Sequence, residues 1–296
     1  MTARKINQLP VDDNTNGWSR ILEPREPRAG LNGAQKSPWL VIGAGLAGLA
    51  AARRLGENRP DDRVILLEAN EVGENASGRN SGFAIDLPHN VGSSMDELEG
   101  SHRFMALARA AIEYHEMQIN RYRIECGWSK PGKYHAAVSQ KGVDEVLKPF
   151  SKELEALGEP YTWIDKSDLD RVLGTSHFSA AVHTPGCRVM NPAALVRGLA
   201  DNMPENVELY ENTPVIELDQ GSGITAQTPG GKVIADKMIL AVNGYADRFG
   251  FYKRQLITFT ANASLSRPLN EEEKTALGCS EQWALTPANA FAGITM

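Results

Sequence analysis

Trp39-Leu40-Val41-Ile42-Gly43-Ala44-Gly45-Leu46-Ala47-Gly48-Leu49-Ala50 is the stretch on which the fold turns. Its first four residues are apolar without alternation, as in a strand buried on both faces of a parallel sheet covered by helices. A glycine turn comes next, Leu46 to about Leu55 reads as the helix it opens, and Val64-Ile65-Leu66-Leu67 supplies a second apolar strand. Strand, turn, helix and strand make a βαβ unit with a right-handed crossover. Gly43 permits the tight turn, Gly45 lets the backbone approach a pyrophosphate, and Gly48 allows close helix–strand packing. Leu46 and Ala47 begin a helix whose N-terminus offers N–H groups and positive potential. Glu68 and Ala69 close the second strand, with Glu68 twenty residues past Gly48 and placed to accept ribose hydroxyls. An acid there disfavours a 2′-phosphate, and with it NADP. Glycines, strands, helix and acid in register point to a dinucleotide site, while spacing alone leaves open which dinucleotide.

Upstream, residues 1 to about 36 carry prolines at 10, 24 and 27 and little apolar periodicity beyond Trp18, Ile21 and Leu22. They read as an extended N-terminal arm whose few apolar residues can dock onto the adjoining domain. Downstream of about residue 95, Met105, Ala108, Ile112, His115, Ile119 and Tyr122 recur at helical spacing. Val143, Val146, Phe150, Leu154 and Leu157 predict a second amphipathic helix, kinked or split by Pro149. Asn191-Pro192 marks a helix start, a capping Asn followed by Pro at the first helical position. Strands then return at 207–210, 215–218, 224–228 and 232–235, with Pro229-Gly230-Gly231 as a hairpin turn. Met238 to Val242 is a further apolar strand ending at Asn243-Gly244. Gln255 to Leu265 alternates like a half-buried strand of a different, antiparallel sheet.

The 296 residues are 42% hydrophobic and 23% charged, which fits a globular chain rather than a disordered or membrane-spanning one. The net charge of −6 provides no basic footprint for nucleic acid. Cys126, Cys187 and Cys279 form no C-x-x-C pair and no zinc pattern, so unbridged thiols in a reducing, cytoplasmic setting are expected. That setting argues against glycosylation at Asn75-Ala76-Ser77 and Asn262-Ala263-Ser264. Residues 2–8 lack an apolar signal core, and Trp39 to Leu55 is too short and too glycine-rich for a transmembrane span. The six histidines show no metal spacing, and no G-x-S-x-G elbow or Walker loop occurs, against metal and hydrolase chemistry.

Glu74-Asn75-Ala76-Ser77-Gly78-Arg79-Asn80-Ser81-Gly82-Phe83 comes after the acidic residue as a polar, glycine-punctuated loop. Here the sequence resembles the FAD-dependent D-amino-acid and amine oxidoreductase superfamily, which includes glycine oxidase, sarcosine oxidase and D-amino-acid dehydrogenase. Ala76 to Gly82 matches its ASGxNxG-like segment, in the version of the gamma-glutamylputrescine oxidase branch. The resemblance implies FAD as the cofactor, with this loop passing along the pyrophosphate and ribityl chain. By motif, Ser77, Arg79, Asn80, Ser81 and Gly82 become candidate FAD contacts beside Gly43, Gly45, Leu46, Ala47, Gly48, Glu68 and Ala69. Thr213-Pro214-Val215 resembles the segment whose valine backbone meets the adenine. Ile239 to Gly244 resembles the strand returning under the cofactor, although Asn243-Gly244 stands where the family usually has Ala-Gly. Tyr252-Lys253-Arg254-Gln255 resembles the element leading into the substrate domain's sheet.

The implied fold is α/β: a Rossmann-like FAD domain with a parallel sheet, residues 37–95 and 186–254, after the arm 1–36. Interleaved with it is an α+β substrate domain on an antiparallel sheet, residues 96–185 and 255–296. Met296 ends the sequence inside an apolar, strand-like run, where family members continue into a closing segment, so a truncated chain is expected. The implied activity is oxidation of a C–N bond of an amine or amino acid, with hydride passing to the flavin and the imine then hydrolysed. Oxygen or another acceptor would take the electrons. A flavin-dependent α-hydroxy-acid oxidoreductase and a non-catalytic dinucleotide-binding or electron-transfer subunit remain alternatives. No catalytic side chain is assigned; His89, just past the loop, is read either as a group lining the active site or as a surface or structural residue.

Overall fold

The computed structural model describes residues 3–88, 98–221, 223–258, 264–278, 283–287 and 294–295. The chain forms two compact units: residues 1–80, 122–126 and 191–263, and residues 81–121, 127–190 and 264–296.

In the first unit a seven-stranded sheet runs in the order Arg4–Lys5, Glu217–Asp219, Ile224–Thr228, Gly231–Leu240, Gly33–Ile42, Val64–Leu67, Val207–Tyr210. The last four strands are mutually parallel, and the first three join them as an antiparallel extension. Val64–Leu67 is buried at every residue, as an apolar run without alternation requires when both faces are covered. The helix Leu46–Asn58 buries Gly48, Leu49, Ala52, Arg53 and Gly56 along one stripe. Leu40, Ile42, Ile65, Leu67, Ala226 and Val233 build the core on the sheet, joined by Ile6 and Leu31 of the arm.

Several boundaries differ from the sequence reading. The first strand begins at Gly33, inside the expected arm, because its polar start is held by backbone pairing with Gly231–Ala235 rather than by burial. The two short strands expected at 232–235 and 238–242 are one strand, Gly231–Leu240, lying along the whole of Gly33–Ile42. Its ladder skips Asp236 and Pro38, since proline has no N–H to donate. The strand expected at 215–218 is shifted to Glu217–Asp219. The hairpin across Pro229-Gly230 and the helix Pro192–Asp201 stand where expected, the latter capped by Asn191, whose side chain accepts the Ala194 N–H at 3.0 Å.

The second unit has a five-stranded sheet ordered Ile294–Thr295, Ala284–Pro287, Lys133–Ala137, Ala180–Thr184, Thr162–Asp165, antiparallel except between its second and third strands. The helix Leu98–Tyr122 belongs to this unit in all but its last residue. The second expected helix is interrupted as Pro149 implied: a wide π turn at Val143–Leu147 leads into Lys148–Leu157. Leu147, Phe150 and Leu154 pack there against Ala137, Ala180 and Val182. The antiparallel strand expected at 255–265 is overturned on its described residues. Gln255–Thr258 is irregular, and Ile257 is 82% exposed, so its alternation faces water and the sheet is built from other segments. The remainder, 259–263 with Asn262-Ala263, lies outside the described residues, as do His89 and Cys279. The fold class is therefore the expected α/β one. Among the described residues no helix is long and apolar enough to cross a membrane.

Candidate cofactor site

The turn between Gly33–Ile42 and Leu46–Asn58 is tied to the neighbouring strand by two short bonds. Gly43 N–H donates to Leu67 O at 2.8 Å, and Ala44 N–H donates to the Glu68 carboxylate at 2.7 Å. Gly43 sits at φ +98°, and a Cβ there would lie 2.4 Å from Ala241 O. A Cβ at Gly48 would fall 1.7 Å from Gly43 O, so the helix approaches the turn as closely as only glycine permits. Gly45 caps the helix without any side-chain bond. Of the first-turn amides, that of Leu46 donates to Ser77 Oγ at 3.1 Å, while the helix itself has no acceptor for those of Ala47 and Gly48.

Glu68 is 7% exposed. Its second carboxylate oxygen accepts from Asn75 Nδ2 at 3.1 Å and from Asn70 N–H at 3.2 Å. Burial pushes its pKa above the ordinary carboxylate value, against the opposite pull of these donors. Ala69 is half-buried. Thr213 N–H donates to Glu68 O at 2.8 Å, which brings the segment leading to the buried Val215 beside the acid. Asn243, at φ +49°, and Gly244 open a 3-10 turn just past Ala241.

The segment expected as a loop contains a short helix, Ala76–Arg79, because Gly78 packs directly on the Gly73 backbone. Ser77 reaches the start of the glycine-turn helix. Arg79 points elsewhere, donating to Glu74 O, Asp12 and Asp13. Asn80 donates to Ser77 O at 2.8 Å. Ser81 and Gly82 belong to the second unit, where Ser81 is exposed and Gly82, at φ +76°, accepts from Met190 N–H at 3.0 Å. Gly43 to Gly48, Glu68, Ser77 and the approach to Val215 are thus brought together in one unit. Tyr252–Gln255 is an exposed turn.

Two groups escaped sequence reasoning. Asn75 and Asn70 orient Glu68, and only their short spacing from it could have signalled this. Glu211, fully buried after the Val207–Tyr210 strand, accepts from Val72 N–H at 2.6 Å, from Arg28 N–H at 2.7 Å and from the Arg25 guanidinium. In the second unit Lys133 is 5% exposed and burial lowers its pKa, while burial pushes the nearby Cys187 thiol up to about 12. Asp86 in the same region is held by Arg109, which also pairs with Glu159. Among the described residues, no cluster of three or more His, Cys, Asp and Glu could hold a metal ion.

Residues 39–282 match the family model described as FAD dependent oxidoreductase. The chain is 28% identical over 214 residues to a probable oxidoreductase, OrdL, of Haemophilus influenzae, covering 70% of this chain and 49% of that protein. It is 28% identical over 213 residues to gamma-glutamylputrescine oxidoreductase of Escherichia coli, covering 69% of this chain and 48% of that one. The chain thus spans about half the length of these curated relatives. Its fold is similar to glycine oxidase from Geobacillus kaustophilus, with a TM-score of 0.62 at 24% identity over 73% of this chain and 58% of that one. L-amino acid deaminase from Proteus myxofaciens gives 0.58 at 19% identity over 77% and 49%.

Proposed function

The chain belongs to the FAD dependent oxidoreductase family, and from that membership we propose that its first unit cradles FAD at the Gly43–Gly48 turn and that the protein oxidises the C–N bond of a small amine or amino acid. The observation that carries the cofactor site is the Glu68 carboxylate, buried at the tip of its strand and bonded at 2.7 Å to the Ala44 N–H of the turn. The residues fit a dinucleotide. Gly45 presents no side chain, and a Cβ there would meet Ser77 Oγ at 2.7 Å, in the space where a pyrophosphate has to approach the helix.

In this reading the opening amides of Leu46–Asn58 and their positive potential offset the pyrophosphate charge. Glu68 accepts the ribose hydroxyls, and its low-dielectric surroundings strengthen those bonds. Asn75 and Asn70 hold the carboxylate in orientation. Bound FAD supplies the two-electron oxidant. An amine bound unprotonated needs no strong side-chain base, so positioning and exclusion of water are the protein's main contributions. The second unit, with its largely antiparallel sheet, takes the part of the substrate domain, and the buried thiols Cys126 and Cys187 suit a reducing, cytoplasmic setting.

The amine and amino-acid class is supported by the gamma-glutamylputrescine oxidoreductase and glycine oxidase names among the relatives. The test is an anaerobic absorbance titration of the FAD-loaded protein against amino acids, polyamines, acylated polyamines and α-hydroxy acids. Bleaching by an amine is the expected result. Bleaching by hydroxy acids alone, or only by dithionite, would overturn the amine reading in favour of the α-hydroxy-acid or electron-transfer alternative.

A further inference from the structure

The N-terminal arm lies outside the family match, which starts at residue 39, yet it is bonded to both ends of the cofactor loop. Asn16 Nδ2 donates to Gly73 O at 2.9 Å, at the loop's start, and Trp18 Nε1 donates to Asn80 O at 2.8 Å, at its end. Between them, Arg79 Nη2 meets Asp12 at 2.7 Å and Arg79 Nη1 meets Asp13 at 2.8 Å. We propose that Asp12–Trp18 is a clasp that holds the 73–80 loop in its binding conformation, with Arg79 as the positioning residue through which it acts. The proposal rests on the FAD reading of that loop.

The arm is built to present these groups. Asp12 accepts the Asn14 N–H at 2.9 Å, and Asp13 accepts the Thr15 N–H at 3.1 Å and the Thr15 hydroxyl at 2.7 Å, so both carboxylates are set by their own turn before Arg79 reaches them. Asn14 takes the left-handed φ of +55° that asparagine tolerates, and the turn depends on it. These contacts hold the Asp13 carboxyl well below the usual carboxylate range, the Thr15 hydroxyl contributing most and Arg79 next. Asn16 is 4% exposed and uses all of its side chain: it caps the helix Gly17–Arg20 through the Trp18 N–H and donates to Ser19 Oγ and to Gly73 O. Asn191 Nδ2 in turn donates to Trp18 O, fastening the arm to the helix that packs behind the loop.

Arg79 links the arm to the dinucleotide turn. It also donates to Glu74 O, which locks the short helix Ala76–Arg79 at both ends. That helix carries Ser77, whose Oγ accepts the Leu46 N–H and stands where a Cβ on Gly45 would meet it. Releasing the arm frees Arg79, lets Ala76–Arg79 drift, and draws Ser77 away from the helix start. Arg79 therefore acts on the cofactor through the loop, with its charge already matched by two carboxylates.

The experiment is a double-mutant cycle on the FAD-reconstituted protein, with Asp12→Asn/Asp13→Asn in one arm and Arg79→Gln in the other. The FAD dissociation constant is read by fluorescence, and hydrogen exchange of residues 73–80 is read on the apo-protein. Loss of the two half-exposed ion pairs is expected to raise the FAD constant about fivefold and to speed exchange across 73–80. Arg79→Gln is expected to cost clearly less once the aspartates are gone, the remainder being its bond to Glu74 O. Trp18→Phe, which keeps an aromatic six-membered ring but loses the pyrrole ring and with it the N–H to Asn80 O, is expected to speed exchange at that end of the loop without changing the fold. Equal effects of Arg79→Gln in both backgrounds would overturn the proposal by making Arg79 a direct cofactor contact, as would unchanged exchange at 73–80 in the aspartate variant. Absence of any FAD binding by the native protein would overturn the cofactor reading instead, and the exchange measurement separates that failure from failure of the clasp.

Discussion

Gly48→Ala tests the closest approach in the dinucleotide turn. The added Cβ would stand 1.7 Å from Gly43 O and 2.9 Å from its carbonyl carbon, with Ala241 Cβ at 3.3 Å on the other side. An ordinary carbon–oxygen contact is about 3.3 Å, so the helix has to retreat by roughly 1.6 Å. It has no free direction in which to go. Leu49 and Ala52 are buried, and Arg53 on the same stripe is bonded to Leu199 O at 3.1 Å and Asn202 O at 2.6 Å. Overpacking of this kind costs about 3 kcal/mol, and the better helix propensity of alanine returns about 1 kcal/mol. The net of ~2 kcal/mol corresponds to a fall of roughly 4–8 °C in the melting temperature of the apo-protein. Thermal unfolding followed by circular dichroism, without FAD so that ligand linkage does not enter, reads it directly. Gly45→Ala is the control, since its Cβ meets only the movable Ser77 side chain, with Oγ at 2.7 Å; it is expected to melt near the wild-type temperature and to lose FAD affinity. Wild-type melting of Gly48→Ala would refute the packing argument, and full FAD affinity in Gly45→Ala would remove the pyrophosphate from this turn.

Glu68→Ala removes charge-assisted bonds to the ribose worth about 1.5–3 kcal/mol, so FAD affinity measured by titration is expected to drop tenfold or more. Because the folded pKa of Glu68 lies above its ordinary value of 4.5, its contribution to apo-protein stability is full below 4.5 and is lost as pH rises through the folded pKa. Urea midpoints across pH 4–8 should show that decline, and Glu68→Gln should flatten it. Arg53→Met leaves the Leu199 and Asn202 carbonyls without their donor and is expected to destabilise the first unit by about 2–3 kcal/mol in the same assay. Cys187 is 1% exposed and burial pushes its thiol up to about 12, so peptide mapping after iodoacetamide treatment at pH 8 should find it unmodified in the native protein.

The elements legible in the sequence are those whose cause is local. An apolar run between turn residues is a buried strand, as at Val64–Leu67, and the short β-favouring segment Val207–Tyr210 is likewise found at its expected bounds. A capping Asn before Pro starts a helix through bonds spanning three residues, and Asn191 does so. Pro149 disturbs its helix through its own ring, and a π turn precedes it. At Gln255–Leu265 local pattern stops deciding: alternation indicates a strand that could be half-buried, and the described part faces water because no neighbouring strand pairs with it. Met238–Val242 was legible as apolar but not as the continuation of Gly231–Ala235, because the pairing that joins them comes from Gly33–Ile42, about two hundred residues earlier.

The amino-acid sequence by itself determined the βαβ unit at Trp39–Leu67, the glycine turn with Glu68 in register, and the kinship of the loop after it, since these depend on residues close in the chain and on the backbone freedom of glycine. Only the tertiary structure decided which partners the polar side chains find. Arg79 matches a cofactor-loop motif, yet its guanidinium is turned to Asp12 and Asp13, more than sixty residues upstream. Arg53, inside the apolar stretch Trp39 to Leu55, is 1% exposed and bonded to the Tyr122 hydroxyl and two carbonyls near residue 200. A charged group can be buried only where donors and acceptors converge to replace water, and that convergence belongs to the folded chain rather than to any segment of it.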